Sequence, residues 1–230
     1  MADFPFDIVG FDLDGTLFDT SSDLADAVNH VLGHIGRASL SLPEILPMIG
    51  QGTRHMLGQA LQATGGADDL DRLVPELIAY YQDNIARGTR AYPGLIEAMD
   101  ELEAKGVKLT IVTNKLEHLT TRLVAALGLD HRFAVVIGGD TMGRGGAKPS
   151  PAGIQEMIRR AGGGRAAFVG DSVFDIAAAR NAGIPSVAVA FGFGVGDVAA
   201  LGADAVIERY DQLVPTLERL GVRSGALPAS

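Results

Sequence analysis

Two aspartates one residue apart, Asp12 and Asp14, stand at the end of a short apolar run: Asp7-Ile8-Val9-Gly10-Phe11-Asp12-Leu13-Asp14-Gly15-Thr16. In an extended chain, side chains two residues apart point to the same side. Both carboxylates therefore converge at the carboxyl end of a predicted strand. Two like charges so placed repel unless a cation neutralises them. Gly15 lets the backbone turn sharply and lets an amide approach an anion. This is the pattern of a metal-assisted site in which a carboxylate is the nucleophile; an Asp-rich turn after a strand is the plainer reading of the same residues.

Other polar residues gather at the ends of later predicted strands. One strand runs into Val112-Thr113-Asn114-Lys115 and another into Gly170-Asp171-Ser172, with Asp175 four residues after Asp171. A hydroxyl and free amides before a helix form an anion site, although Thr113 or Asn114 also reads as a simple cap of that helix. Asp12, Asp171 and the backbone carbonyl of Asp14 supply the oxygen ligands that Mg²⁺ prefers. Asp175 reads either as a further metal-side acid or as an acid complementing a helix dipole. Lys148, beside Pro149 after a Gly-rich loop, gains meaning because carboxylates plus a phosphate need a second cation.

The elements that position these residues follow from periodicity. Short apolar strands are predicted at 107–113, 133–137, 166–170, 187–191 and 205–207, alternating with helices at 94–104, 116–127, 151–161 and 174–181. That alternation indicates a parallel sheet covered on both faces. Residues 21–88 instead read as helices throughout: Leu24, Val28, Val31, Leu32 and Ile35 recur at helical spacing, and Pro75 is expected to split a later helix in two. The expected organisation is an α/β core, 1–18 and 89–230, with a helical cap, 19–88, inserted after the first strand. The tail from Arg223 is expected to fray.

Composition sets limits. The 230 residues carry a net charge of −9 and no cysteine, which excludes disulfides and thiolate chemistry. No Lys/Arg-rich run is present, which argues against nucleic acid as a partner. No stretch approaches the roughly 18 apolar residues of a membrane span, and the first basic residue is Arg37; a cytoplasmic enzyme is expected. His30, His34 and His55 show no metal-like clustering with acids and read as cap surface or packing. Phe191-Gly192-Phe193-Gly194-Val195-Gly196 lacks the Lys-Ser/Thr of a phosphate loop and reads as a mobile rim of the site.

Asp12-Leu13-Asp14-Gly15-Thr16, Thr113-Asn114, Lys148-Pro149 and Gly170-Asp171 with Asp175 together resemble the haloacid dehalogenase-like phosphohydrolase superfamily. Ser22 to Asn29, Ile49-Gly50-Gln51-Gly52, Ile111 to Lys115 and Val136 to Asp140 are similar, more narrowly, to phosphoglycolate phosphatases. The resemblance implies a Rossmann-like core, Mg²⁺, and hydrolysis of a small phosphorylated metabolite through an aspartyl-phosphate. It assigns Asp12 as nucleophile and Asp14 as acid/base. Thr113 would bind the phosphoryl oxygens, with Asn114 beside it, and Lys148 would neutralise charge. Asp12, Asp14, Asp171 and Asp175 form the metal side. Arg54, in the cap loop after Gly52, is a candidate for a substrate carboxylate and equally reads as a solvated helix residue.

The cap has no lysine, which sets aside Schiff-base phosphonate hydrolysis, and Asp14 argues against dehalogenation. A phosphosugar mutase, phosphatases of nucleotides or sugar phosphates, and a non-catalytic binding module remain as alternatives. Oligomeric state is not encoded in these motifs.

Overall fold

In the computed structural model the described residues are 4–194 and 198–224, with only the backbone for 223 and 224. The first strand, β1 (Ile8–Phe11), is buried along its whole length. A tight turn follows, in which Leu17 N and Phe18 N both donate to Leu13 O. A two-residue strand, β2 (Phe18–Asp19), leads into the cap helices α1 (Ser21–His34), α2 (Leu42–Ile45), α3 (Thr53–Ala63) and α4 (Leu70–Asp83). The chain returns through β3 (Arg90–Ala91), which pairs antiparallel with β2, Phe18 opposite Ala91 and Asp19 opposite Arg90. A two-strand stem thus joins the helical cap to the core.

Four helix–strand repeats and a final strand and helix complete the core: α5 (Leu95–Ala104), β4 (Lys108–Val112), α6 (Glu117–Ala126), β5 (Phe133–Ile137), α7 (Ala152–Arg160), β6 (Ala166–Gly170), α8 (Val173–Ala182), β7 (Ser186–Val189), β8 (Ala205–Ile207) and α9 (Leu213–Ser224). The sheet order is β5-β4-β1-β6-β7-β8, and every pairing in it is parallel. Because β1 lies between β4 and β6, with Phe11 opposite both Ile111 and Val169, three chain segments end side by side. Ligand sites in open parallel sheets lie outside such carboxyl ends.

The core and the cap bury separate apolar clusters. One gathers Phe11, Leu13, Met99, Ile111, Val169 and Leu217 around the sheet; a second gathers Val28, Leu32, Leu57, Leu61, Leu73, Leu77 and Tyr81 within the cap, joined by Leu119 of α6.

Two elements depart from expectation. Pro75 does not divide its helix: α4 is continuous through it. In the second turn proline deletes one backbone donor, while the Asp69 side chain accepts from Asp71 N and Arg72 N and Leu73, Leu77 and Tyr81 keep one face buried. His30 and His34 lie on the cap surface as expected, where both face Glu76 Oε1 of α4, 3.5 Å from His30 Nε2 and 2.5 Å from His34 Nδ1, because residues four apart on α1 share a face. The second departure is α9, which the sequence periodicity leaves unassigned; Leu213, Val214, Leu217 and Leu220 seat it against the core. The tail beyond Ser224 and residues 195–197 of the Gly-rich rim lie outside the described residues.

Candidate active site

Asp12 follows β1 directly, and its backbone N donates to Val169 O at 2.9 Å, which fixes it to the end of β6. Its carboxylate is buried, 6 % exposed. Lys148 Nζ lies 2.7 Å from Asp12 Oδ1 and 2.5 Å from Asp175 Oδ1. Asp175 occupies the first turn of α8 and forms a capping box with Ser172, whose N and Oγ both donate to Asp175 Oδ2. One oxygen of Asp175 thus caps the helix while the other pairs with Lys148.

Asp171 ends β6 and is held from two directions. Thr16 Oγ1 donates to one oxygen at 3.3 Å and Phe193 N to the other at 2.7 Å. The backbone must pass close to this carboxylate at Gly15 and Gly192. A Cβ at Gly15 would stand 2.4 Å from Asp171 Oδ2, and one at Gly192 2.6 Å; Gly15 also has φ +82, a region other residues rarely enter. The described part of the Gly-rich rim is thus packed against Asp171 through Phe193.

Carboxylate oxygens of Asp12, Asp171 and Asp175 come within 4.8 Å of one another. Burial and mutual repulsion govern their protonation. Burial, then the Asp175 and Asp12 charges, push Asp171 up to about 8. Burial also raises Asp12 to about 6, against the pull of Lys148. Lys148 is raised despite its own burial, because Asp12 and Asp175 hold its proton. Three clustered, buried carboxylates, two of them paired with one lysine, leave excess negative charge on a hard-oxygen donor set, which fits a divalent cation such as Mg²⁺.

Asp14 turns to the other side. Thr20 Oγ1, beside the stem, donates to its Oδ1 at 2.7 Å, and Lys115 Nζ approaches its two oxygens at 3.0 and 3.1 Å. Lys115 is 6 % exposed and lies 4.5 Å from the Tyr81 ring of α4. Burial disfavours its charge, but Asp14 and then Tyr81 raise its pKa overall. Thr113 is buried at the end of β4, and its Oγ1 accepts from Lys115 N at 3.3 Å.

A pocket of about 380 Å³, open space at its mouth included, joins these groups. Core residues Asp12, Asp14, Thr113, Asn114 and Lys115 form its floor, and Leu24, Ile49, Thr53 and Met56 of the cap form its roof. A wider cleft of about 1090 Å³ runs past Asp14 and Asp171 toward Phe193.

Two candidate ligand-binding residues are engaged elsewhere. Asn114 spends its amide on the backbone: Nδ2 donates to Gly50 O and Lys148 O, and Oδ1 accepts from Lys148 N. It ties the cap loop and the lysine loop together rather than presenting a free amide. Arg54 is exposed and pairs with Asp71 Oδ1 of α4 at 2.6 Å; as the second residue of α3 it turns outward, while Thr53 lines the pocket. Conversely, Lys115 was overlooked as a site residue. Its signal was scarcity: of 19 basic residues only four are lysines, and two of them are buried against carboxylates here.

The chain matches the family model described as haloacid dehalogenase-like hydrolase over residues 9–189. It is 39% identical over 224 residues to a phosphoglycolate phosphatase of Agrobacterium fabrum, covering 95% of each chain. With a phosphoglycolate phosphatase of Mesorhizobium japonicum it shares 42% identity over 219 residues, 93% of this chain and 96% of the relative. Among solved structures, a predicted phosphoglycolate phosphatase from Haemophilus somnus superposes with a TM-score of 0.86 at 27% identity, covering 92% of this chain and 98% of that one. With a matched segment that spans the sheet from β1 to β7, and with the strand-end acids and lysine arranged as above, the chain belongs to the haloacid dehalogenase-like hydrolases.

Proposed function

We propose that this chain is a Mg²⁺-dependent phosphomonoesterase that hydrolyses 2-phosphoglycolate through an aspartyl-phosphate on Asp12. The observation that carries the reading is the pairing of two carboxylates with different surroundings in one pocket: Asp12 beside Lys148 and the other metal-side acids, Asp14 beside Thr20 and the cap. The relatives' names support the choice of substrate, and the small pocket suits a short leaving group.

Asp12 and Asp171, with the Asp14 carbonyl and Asp175 directly or through water, would hold Mg²⁺. When bound, the ion offsets negative charge on the carboxylates and on the transferring phosphoryl group. Asp12 attacks phosphorus in line; the P–O bond to glycolate breaks and its electron pair stays on the ester oxygen. Asp14 gives that oxygen a proton. It then takes a proton from the water that attacks the same phosphorus, which frees the Asp12 carboxylate and inorganic phosphate. Lys148 keeps its proton throughout and stabilises charge on Asp12 and the phosphoryl oxygens. Thr113 and the amides after it position those oxygens. Asn114 holds the Lys148 loop and the cap loop in register. The cap roof excludes bulk water, which would otherwise compete at the phosphoryl group.

Phosphate release from 2-phosphoglycolate, with Mg²⁺ and with excess chelator, tests the assignment, with glucose 1-phosphate as comparison. Fast metal-dependent release favouring phosphoglycolate is expected. Preference for glucose 1-phosphate, or rates indifferent to chelator, would overturn it.

A further inference from the structure

Lys115 has no part in the steps above, yet it is a buried cation in the reaction pocket. Among the described residues lining that pocket it is the one cation; the others are acids, small polar groups and apolar cap residues. Placing an ammonium there is costly unless it serves an anion. Asp14 meets it from the core side, while Tyr81 closes it off from the cap side.

We infer that Lys115 is a specificity-determining residue that binds the carboxylate of the leaving group, and so restricts the enzyme to phosphate esters with an acid group next to the ester carbon. This inference rests on the proposed phosphatase reading and sharpens its substrate class. The geometry is one of reach. Lys115 Nζ touches both oxygens of Asp14, at 3.0 and 3.1 Å, and the ester oxygen must touch Asp14 to receive its proton. Two atoms that are hydrogen-bond neighbours of one carboxyl group lie about 4–6 Å apart. In a phosphorylated 2-hydroxy acid, one carbon separates the ester oxygen from the carboxylate, whose oxygens lie about 3–4 Å from it. That carboxylate spans the gap to Nζ.

An ammonium has three N–H donors, and Asp14 offers it two oxygens on one side, so a donor is left for a second anion. Charge counting agrees. Lys148 is already shared by Asp12 and Asp175, which leaves Lys115 as the cation for a carboxylate on the leaving group. Arg54 is spent on Asp71 at the surface. A neutral alcohol of the same length would give the remaining N–H no charged partner, and a longer acid would carry its charge past Nζ into the apolar roof of Leu24, Ile49 and Met56.

The test compares kcat/KM for 2-phosphoglycolate with that for 2-hydroxyethyl phosphate, its neutral isostere, in wild type, Lys115→Met and Lys115→Arg, with thermal melting as a check on folding. Wild type should favour the acid by about 100-fold or more, Lys115→Met should shrink that ratio below about 10-fold, mainly through KM, and Lys115→Arg should retain most of it. If Lys115→Met fails to fold, Lys115→Gln, which keeps a donor to Asp14 without the charge, carries the same expectation. Equal losses on both esters would overturn the inference, since Lys115 would then act only through Asp14. A wild-type ratio near one would overturn it too. Wild type inert toward both esters would bring down the phosphatase reading itself, and this inference with it.

Discussion

Two buried lysines pair with the two aspartates of one pocket, Lys148 with Asp12 and Lys115 with Asp14, and they are anchored differently. Lys148 lies between Asp12 and Asp175, residues at the ends of β1 and β6 and their following helix; every partner belongs to the core. Lys115 lies between Asp14 of the core and Tyr81 of the cap, and Asp14 is also held by Thr20, next to the stem strand β2. The side proposed to carry the nucleophile is therefore an assembly of strand ends, whereas the side proposed to meet the leaving group is shared with the element that covers the pocket. On that proposal the first sets what chemistry occurs, and the second is placed to respond to what sits in the pocket.

Substitutions on the two sides should separate cleanly. The largest effect is expected at the fixed side: Asp12→Asn removes the attacking oxygen's charge and should lower kcat by about 10⁴-fold or more, with circular dichroism unchanged. Retained turnover would remove Asp12 as nucleophile. On the shared side, Asp14→Asn should cost about 10²–10⁴-fold with alkyl phosphates. It should cost far less with p-nitrophenyl phosphate, whose leaving group needs no proton. Equal losses on both esters would mean that Asp14 does not act as the acid.

A third outcome sharpens the contrast through pH. Burial and neighbouring charges hold the Asp171 carboxyl up at about 8 and Asp12 at about 6, while an unfolded chain releases these protons near pH 4, roughly. The metal-free folded state thus binds more protons than the unfolded one across that interval. It should lose stability as pH rises from about 4 toward 8. Mg²⁺ binding favours the ionised carboxylates, so the rise in Tm on adding saturating Mg²⁺ should be small near pH 5 and grow toward pH 8. A constant increment would contradict the assignment of these acids to the metal. The smallest effect is expected at Arg54→Ala. Its pair with Asp71 is 59% and 85% exposed, so stability should change by about 0.5 kcal/mol or less and KM for acidic substrates should not move. A selective rise in KM would return Arg54 to the site.

The same contrast explains what was legible in the sequence. β5 and β6 run over Phe133–Ile137 and Ala166–Gly170, the ranges read from their apolar runs; β6 is buried at every position, and a strand covered on both faces is written in consecutive residues. Asp12, Asp14 and Asp171 stand at strand ends, where local spacing announces them. The partners of the leaving-group side are not local. Asp14 and Lys115 are 101 residues apart, and nothing in α4 marks Tyr81 as the residue that meets Lys115. The amide of Asn114 joins Gly50 to Lys148, a contact that exists only once cap and core are packed. The stem strands have two residues each, too few to show a period. Arg54 was ambiguous for a related reason, since its partner Asp71 sits on the next helix.

The central claim is that phosphorus passes through Asp12. Rapid acid quench of the enzyme with 2-phosphoglycolate labelled at phosphorus, in the presence of Mg²⁺, measures this directly. Label should appear on the protein within the first turnover, map to the peptide containing Asp12, decay as inorganic phosphate is released, and be absent in Asp12→Asn. Labelled phosphate formed at full rate with no protein-bound label at any quench time, or label persisting in Asp12→Asn, would contradict the account.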